Sequence, residues 1–276
     1  MRIGGSVLLP FSTPKQWLEH VKNLHYRAVI LPVDYTADVK LIDEYVNICK
    51  ENDLFIAEVG AWSNPISVDE EQRRKALNQC KKQLELAEYV KAACCVNIAG
   101  SRNQKWDGPD ASHYTDEIYN MIIDSVREII DAVNPQNTCY SLETMPWIAP
   151  DTVESYLDLI KDIDRPGFGV HLDPCNIITS PTLYYKNAEF LTHCFDKLGP
   201  YIKSVHAKDL SLADNFLVHL SEVEIGTGNI DYDVWLTLMS KCHTDMPLII
   251  EHLNHHEQYV SAVSYVENKL SILGLS

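Results

Sequence analysis

Phe168-Gly169-Val170-His171-Leu172-Asp173-Pro174-Cys175-Asn176 reads as a short apolar strand that ends in a carboxylate and is stopped by a proline. Near-continuous apolar runs of this kind mark strands of a parallel sheet whose two faces are covered by helices. The same unit recurs in both directions. Toward the N-terminus lie Cys139–Leu142, Ala92–Ile98, Leu54–Val59, Ala28–Val33 and Arg2–Leu9; toward the C-terminus lie Ile202–Val205 and Leu248–Ile250.

Amphipathic stretches separate these runs. Ser12-Thr13-Pro14 opens a helix with proline in its first turn, and Trp17, Val21 and Leu24 follow at helical spacing. Further helices are expected over Asp38–Lys50, Val68–Lys91, Tyr114–Ala132 and Glu257–Leu273. Others run from an Asp151 cap to Ile163, end near Leu198, or reach Met239 from a cap at Asp231 or Asn229. Eight strand–helix units in 276 residues fit an α/β fold, the (β/α)8 TIM barrel, as one domain over residues 1–276. A doubly wound sheet uses the same alternation with fewer strands. Gly226-Thr227-Gly228 does not follow a strand directly and lacks a third glycine, so a structural turn is expected there.

Composition narrows the function. Lys and Arg number 23 against 39 Asp and Glu, a net charge of −16. Nucleic-acid affinity comes largely from cationic side chains that displace counterions, so neither nucleic acid nor an anionic membrane is an expected partner. The eight cysteines form no C-x-x-C pair, and the sequence MRIGGSVLLPF at the start lacks a signal-peptide core. Reduced thiols and a cytoplasmic location are expected.

Barrel chemistry sits at the carboxyl ends of the strands. Strands five to eight end at Glu143, Asp173, His206 and Glu251, which places three carboxylates and one imidazole on one rim. That donor set suits Mn²⁺, Mg²⁺, Co²⁺ or Zn²⁺. Residues two apart on a strand share a face, which puts His171 with Asp173 and Lys208 with His206. His171 is expected to act as an acid or base and Lys208 to hold a substrate oxygen. Glu58 is placed to orient a ligand or contact substrate. Trp62, Trp147 and Asn176 lie in loops on the same rim, where aromatic rings suit a sugar face or an apolar aglycone.

The segments Leu142-Glu143-Thr144-Met145-Pro146-Trp147, Val170–Asn176, Val205-His206-Ala207-Lys208-Asp209, Gly226–Asp231 and Ile250-Glu251-His252 resemble the xylose isomerase-like (AP endonuclease family 2) barrels over essentially the whole chain. That superfamily includes sugar-phosphate isomerases and epimerases, inosose dehydratases, barrel endonucleases and the α subunits of C-glycoside deglycosidases. The resemblance implies a divalent metal, Mn²⁺ foremost, on Glu143, Asp173, His206 and Glu251. Glu143 and Glu251 would double as the acid/base pair, with the metal stabilising an enediolate.

Ketose epimerases carry an arginine shortly after the metal-binding histidine, a histidine a few residues after the aspartate, and a second glutamate six residues past the first. Here the first is absent, and Asn176 and Ala149 stand at the other two positions. These departures favour a carbon–carbon or carbon–oxygen lyase on a keto-sugar, such as the α subunit of a C-glycoside deglycosidase acting on 3-keto C-glycosides. A ketose 3-epimerase or other sugar (phosphate) isomerase is the alternative, and a non-catalytic metal-binding barrel is the third reading. A deglycosidase implies a smaller β subunit; the other readings imply a homo-oligomer.

Overall fold

The computed structural model describes residues 1–275. Its eight parallel strands are β1 (Arg2–Gly5), β2 (Ala28–Ile30), β3 (Phe55–Gly60), β4 (Cys94–Asn97), β5 (Tyr140–Glu143), β6 (Phe168–Leu172), β7 (Ile202–Ala207) and, after an excursion, β10 (Pro247–Ile250). The hydrogen-bonded order is β1-β10-β7-β6-β5-β4-β3-β2. At the remaining seam the Arg27 N–H donates to the Ile3 carbonyl at 2.8 Å, so the sheet nearly closes on itself. Gly4 makes that seam possible, because a methyl group there would run into the Ala28 carbonyl.

The outer layer carries α1 (Pro14–Asn23), α2 (Val39–Glu51), α3 (Glu70–Val90), α4 (Asp116–Val133) and α5 (Val153–Ile163). After β6 come α6 (Pro174–Ile177), α7 (Pro181–Tyr185) and α8 (Asn187–Leu198), and α9 (Tyr232–Met239) and α10 (His256–Leu273) complete it. Thr13 and Asp38 cap α1 and α2, and Asp231, one of the two caps expected there, caps α9. Asp151 does not cap α5. Thr152 does, in a reciprocal box with Ser155, because the helix begins at Val153 and Thr152 is the extended residue just before it.

The larger core lies between helices and barrel. Trp17 packs edge-on to Tyr45 across α1 and α2 at 5.2 Å between ring centroids. Inside the barrel the lower layer is small and apolar, with Ala28, Ala57 and Ile249 in one cluster and Cys94, Val96 and Cys139 in another. Cys94 and Cys95 do face opposite ways: Cys95 belongs to the helix-facing core. Polar side chains take over only toward the carboxyl ends of the strands.

Two irregularities aim those polar groups. Ile30 pairs with Glu58 although Val29 pairs with Ile56, so Ala57 is an extra residue that turns Glu58 inward. Likewise His171 pairs with Ser204 although Val170 pairs with Ile202. The segment after β7 contains an antiparallel hairpin, β8 (Asp209–Leu212) and β9 (Leu220–Val223). Asp209 anchors its base by accepting from the N–H groups of Leu210, Gly226, Gly228 and Ile230 at 2.9–3.1 Å. Gly226 adopts φ +90° there, so the glycine pair is the structural turn expected. No helix among the described residues is long and apolar enough to cross a membrane.

Candidate active site

Glu143, Asp173, His206 and Glu251 converge at the carboxyl end of the barrel, each offering an atom within 4.8 Å of the others'. The backbone prepares each of them. Asp173 caps α6: its Oδ1 accepts from the Cys175 and Asn176 N–H groups at 2.9 and 3.2 Å, which leaves Oδ2 free. Thr144 clamps the neighbouring strand end, donating to the Asp173 carbonyl at 2.7 Å and accepting from its N–H at 3.1 Å. The Tyr156 hydroxyl, reaching in from α5, donates to the Leu142 carbonyl at 2.6 Å and accepts from the His171 N–H at 3.1 Å.

The donor set fits a divalent cation. Asp173 Oδ2 and Glu251 Oε1 are buried and accept no hydrogen bond. Buried carboxylate oxygens seldom stay so, unless a cation shares them. Lys208 Nζ comes within 2.7 Å of the first and 2.8 Å of the second, and His206 Nδ1 within 2.9 Å of the second, yet without hydrogen-bond alignment. Three carboxylates and one imidazole suit Mg²⁺, Mn²⁺, Co²⁺ or Zn²⁺, and do not make a soft thiolate cage.

Strong electrostatic coupling follows from this crowding. Burial disfavours a charged His206, but Glu251, Glu143 and Glu58 overcome it and raise the imidazole pKa well above its usual value. Burial and Glu251 push the Glu143 carboxyl up, but His206 and Lys208 pull it below the usual range. Against burial, His206 and Lys208 hold Glu251 well below that range. For Asp173 burial outweighs the pull of Lys208 and, with Glu143 and Glu251 close by, pushes its carboxyl up to about 6.

Glu58 lies beneath this group, buried, accepting from His171 Nε2 at 2.9 Å and from the Ser204 hydroxyl, with His206 Nε2 at 3.4 Å. Burial opposes its charge, and His206 and His171 prevail, holding it well below the carboxylate range. A carboxylate on one imidazole nitrogen fixes the ring and its tautomer, so the other nitrogen can face a metal.

Two of the sequence-based candidates lie off the cavity surface and a third reaches it. His171, expected to be an acid or base, is fully buried against Glu58 and edge-on to His206 at 4.1 Å, and does not line the cavity. Lys208, expected to bind substrate, lies behind the same wall; a buried ammonium takes carboxylate partners, and here it has Asp173 and Glu251. Asn176 reaches the cavity wall, but its amide is committed: it donates to Glu143 Oε1 at 3.2 Å and the Thr144 carbonyl at 3.0 Å and accepts from Lys208 at 3.3 Å.

Above the carboxylates opens a cavity of about 630 Å³. Glu58, Glu143, His206 and Glu251 form its floor, and Trp62, Trp147, Met145 and Leu220 stand among its upper walls. The indole N–H of Trp147 is buried and unpaired. Trp106, Asp107, Glu222 and His252 also line the cavity, without a role assigned from the sequence. His252 follows Glu251 directly and was legible as a strand-end neighbour. Glu222 was not, since it arrives on the hairpin.

The profile of the xylose isomerase-like TIM barrel family matches residues 18–269, and the chain belongs to that family. A curated relative, 3-dehydroshikimate dehydratase of Bacillus anthracis, is 23% identical over 199 residues, covering 72% of this chain and 61% of that protein. The chain thus spans 61% of the length of the curated relatives it matches. Among solved structures, a D-tagatose 3-epimerase-like protein superposes with a TM-score of 0.75 at 23% identity, covering 99% of this chain and 98% of that one. A xylose isomerase-like barrel from Mycobacterium smegmatis in complex with magnesium gives 0.70 at 17% identity, covering 96% and 91%. At these identities the structural likeness concerns the fold.

Proposed function

We propose that this chain is a divalent-metal-dependent lyase that removes the proton beside the carbonyl of a keto-sugar and expels a group beta to that carbonyl. The observation that carries the reading is the convergence of Glu143 and Glu251 on one imidazole nitrogen, at 3.2 and 2.9 Å, on the floor of a cavity with aromatic walls. Glu143, Asp173, His206 and Glu251 would hold the cation, with Mn²⁺ proposed first. A bound divalent cation polarises the carbonyl and offsets the charge that builds on its oxygen.

Either glutamate can accept the proton from carbon, since both are ionised and border the cavity. Asn176 steadies Glu143 by donating to it. Trp62 and Trp147 suit an apolar aglycone on the sugar, so 3-keto glycosides, C-glycosides among them, are the proposed substrates. For a C-glycoside the reading includes a smaller partner subunit.

The test is NMR of the Mn²⁺-loaded protein with methyl and aryl 3-keto-glucosides in D₂O, quenched and freed of metal before spectra are taken. The reading expects release of the aglycone with an unsaturated keto-sugar that has lost its C2 hydrogen, and deuterium at C2 only in recovered substrate. An inverted centre with no release would move the assignment to an epimerase. With neither exchange nor product from any keto-sugar, the proposal fails.

A further inference from the structure

We infer that His252 is the group that delivers a proton to the departing aglycone, resting on the lyase reading above. Expulsion of an alkoxide needs a proton donor on the leaving-group side, and His171 is shut behind the cavity floor. His252 faces the cavity and is accessible, its side chain 56% exposed. Its Nδ1 lies 2.9 and 3.2 Å from the two oxygens of Glu222, which aims the ring and assigns Nδ1 as the nitrogen held by the protein. Nε2 is left on the side of Glu251, 3.7 Å from Oε1, beside the carboxylates that take the carbon-bound proton. Glu222 comes from β9 and His252 follows β10, so only the hairpin after β7 creates this pair.

His252 adopts φ +59°, a left-handed conformation that asparagine, aspartate and histidine enter more readily than other non-glycine residues. Held this way, the ring turns to the cavity directly after a strand whose last side chains are buried.

The step balances as follows. The C2–H bond breaks and its proton goes to Glu143 or Glu251. The electron pair forms the C1–C2 double bond, the C1–O bond breaks, and the aglycone oxygen takes the Nε2 proton of His252. The products are an unsaturated keto-sugar and an alcohol. Transfer of the first proton to His252 restores the enzyme.

The test compares leaving groups that do and do not need protonation, methanol and 4-nitrophenol, on 3-keto-β-glucosides. His252→Asn keeps a residue tolerant of left-handed backbone and removes the imidazole; Glu222→Gln removes the orienting charge. We expect His252→Asn to slow methanol release by about 100-fold or more and 4-nitrophenol release by about tenfold or less, at parental metal content and thermal stability. Glu222→Gln should follow in the same direction with a smaller ratio. Equal losses for both leaving groups, or no loss for methanol, would overturn the role of His252 while leaving the lyase reading standing. A parent protein silent on both glycosides would sink that reading, and the role with it.

Discussion

The Lys208 ammonium stands 2.7 Å from Asp173 Oδ2, both side chains almost wholly sealed from solvent. Asp173 nevertheless has its carboxyl pushed up to about 6, because burial and two neighbouring glutamates outweigh the lysine. One cation therefore does not neutralise this cluster.

Replacing Lys208 by Met should be costly without metal and less costly with it. Removing one partner of a buried pair leaves charge uncompensated, a loss of about 3–5 kcal/mol. Urea unfolding with EDTA and then with Mn²⁺ measures both. The same loss under both conditions would mean that no cation shares these carboxylates.

Asp173→Asn should keep the cap on α6, since the amide oxygen can still accept from Cys175 and Asn176, but lose an anionic ligand. Chelator competition should show Mn²⁺ affinity falling by at least about tenfold, with thermal stability in EDTA close to the parent's. Undiminished affinity would remove Asp173 from the coordination sphere.

Glu58 acts from below, through His206. Glu58→Gln should weaken metal binding by about 10- to 100-fold, the usual effect of losing a carboxylate that orients a ligating histidine. Co²⁺ titration followed by its visible spectrum reads this without any turnover. A spectrum and affinity identical to the parent's would leave Glu58 a purely structural residue.

Tyr156→Phe tests the strut between helix and site. The hydroxyl is buried, and its loss strands the His171 N–H, for an expected cost of about 1–3 kcal/mol in urea unfolding. A cost below about 0.5 kcal/mol would show that the freed groups find other partners.

Thiol chemistry checks the packing. Seven of the eight cysteines are buried and Cys242 is half-buried, and all are free. Burial pushes the Cys139 thiol up to about 11 and Cys49 up to about 12, so thiolate stays scarce until the pH approaches those values. At pH 8 a thiol reagent should label at most Cys242 quickly in the native protein, and all eight after unfolding. Fast labelling of several would contradict the core described.

The barrel could be read from the strand segments because strands covered on both faces have little freedom but to be apolar. Their ends show equally well, because Glu143, Asp173, His206 and Glu251 each break an apolar run. Roles were less legible. Whether His171 meets substrate depends on how Val170 and His171 pair with β7, and a one-residue slip there aims it at Glu58. The Asn176 amide spans Glu143 and Lys208, contacts that no local pattern announces.

What the sequence determined by itself is the local part: strand and helix periods, the cap at Asp231, and which side chain ends each strand. Only the tertiary structure decided which of those side chains converge within reach of one another, which hide behind the floor, and that Glu222 meets His252 across thirty residues of chain. Local choices follow from backbone geometry and side-chain period within a few residues. Contacts between distant segments depend on register, bulges and one hairpin, whose effect on direction is large and whose trace in the sequence is a single residue or none.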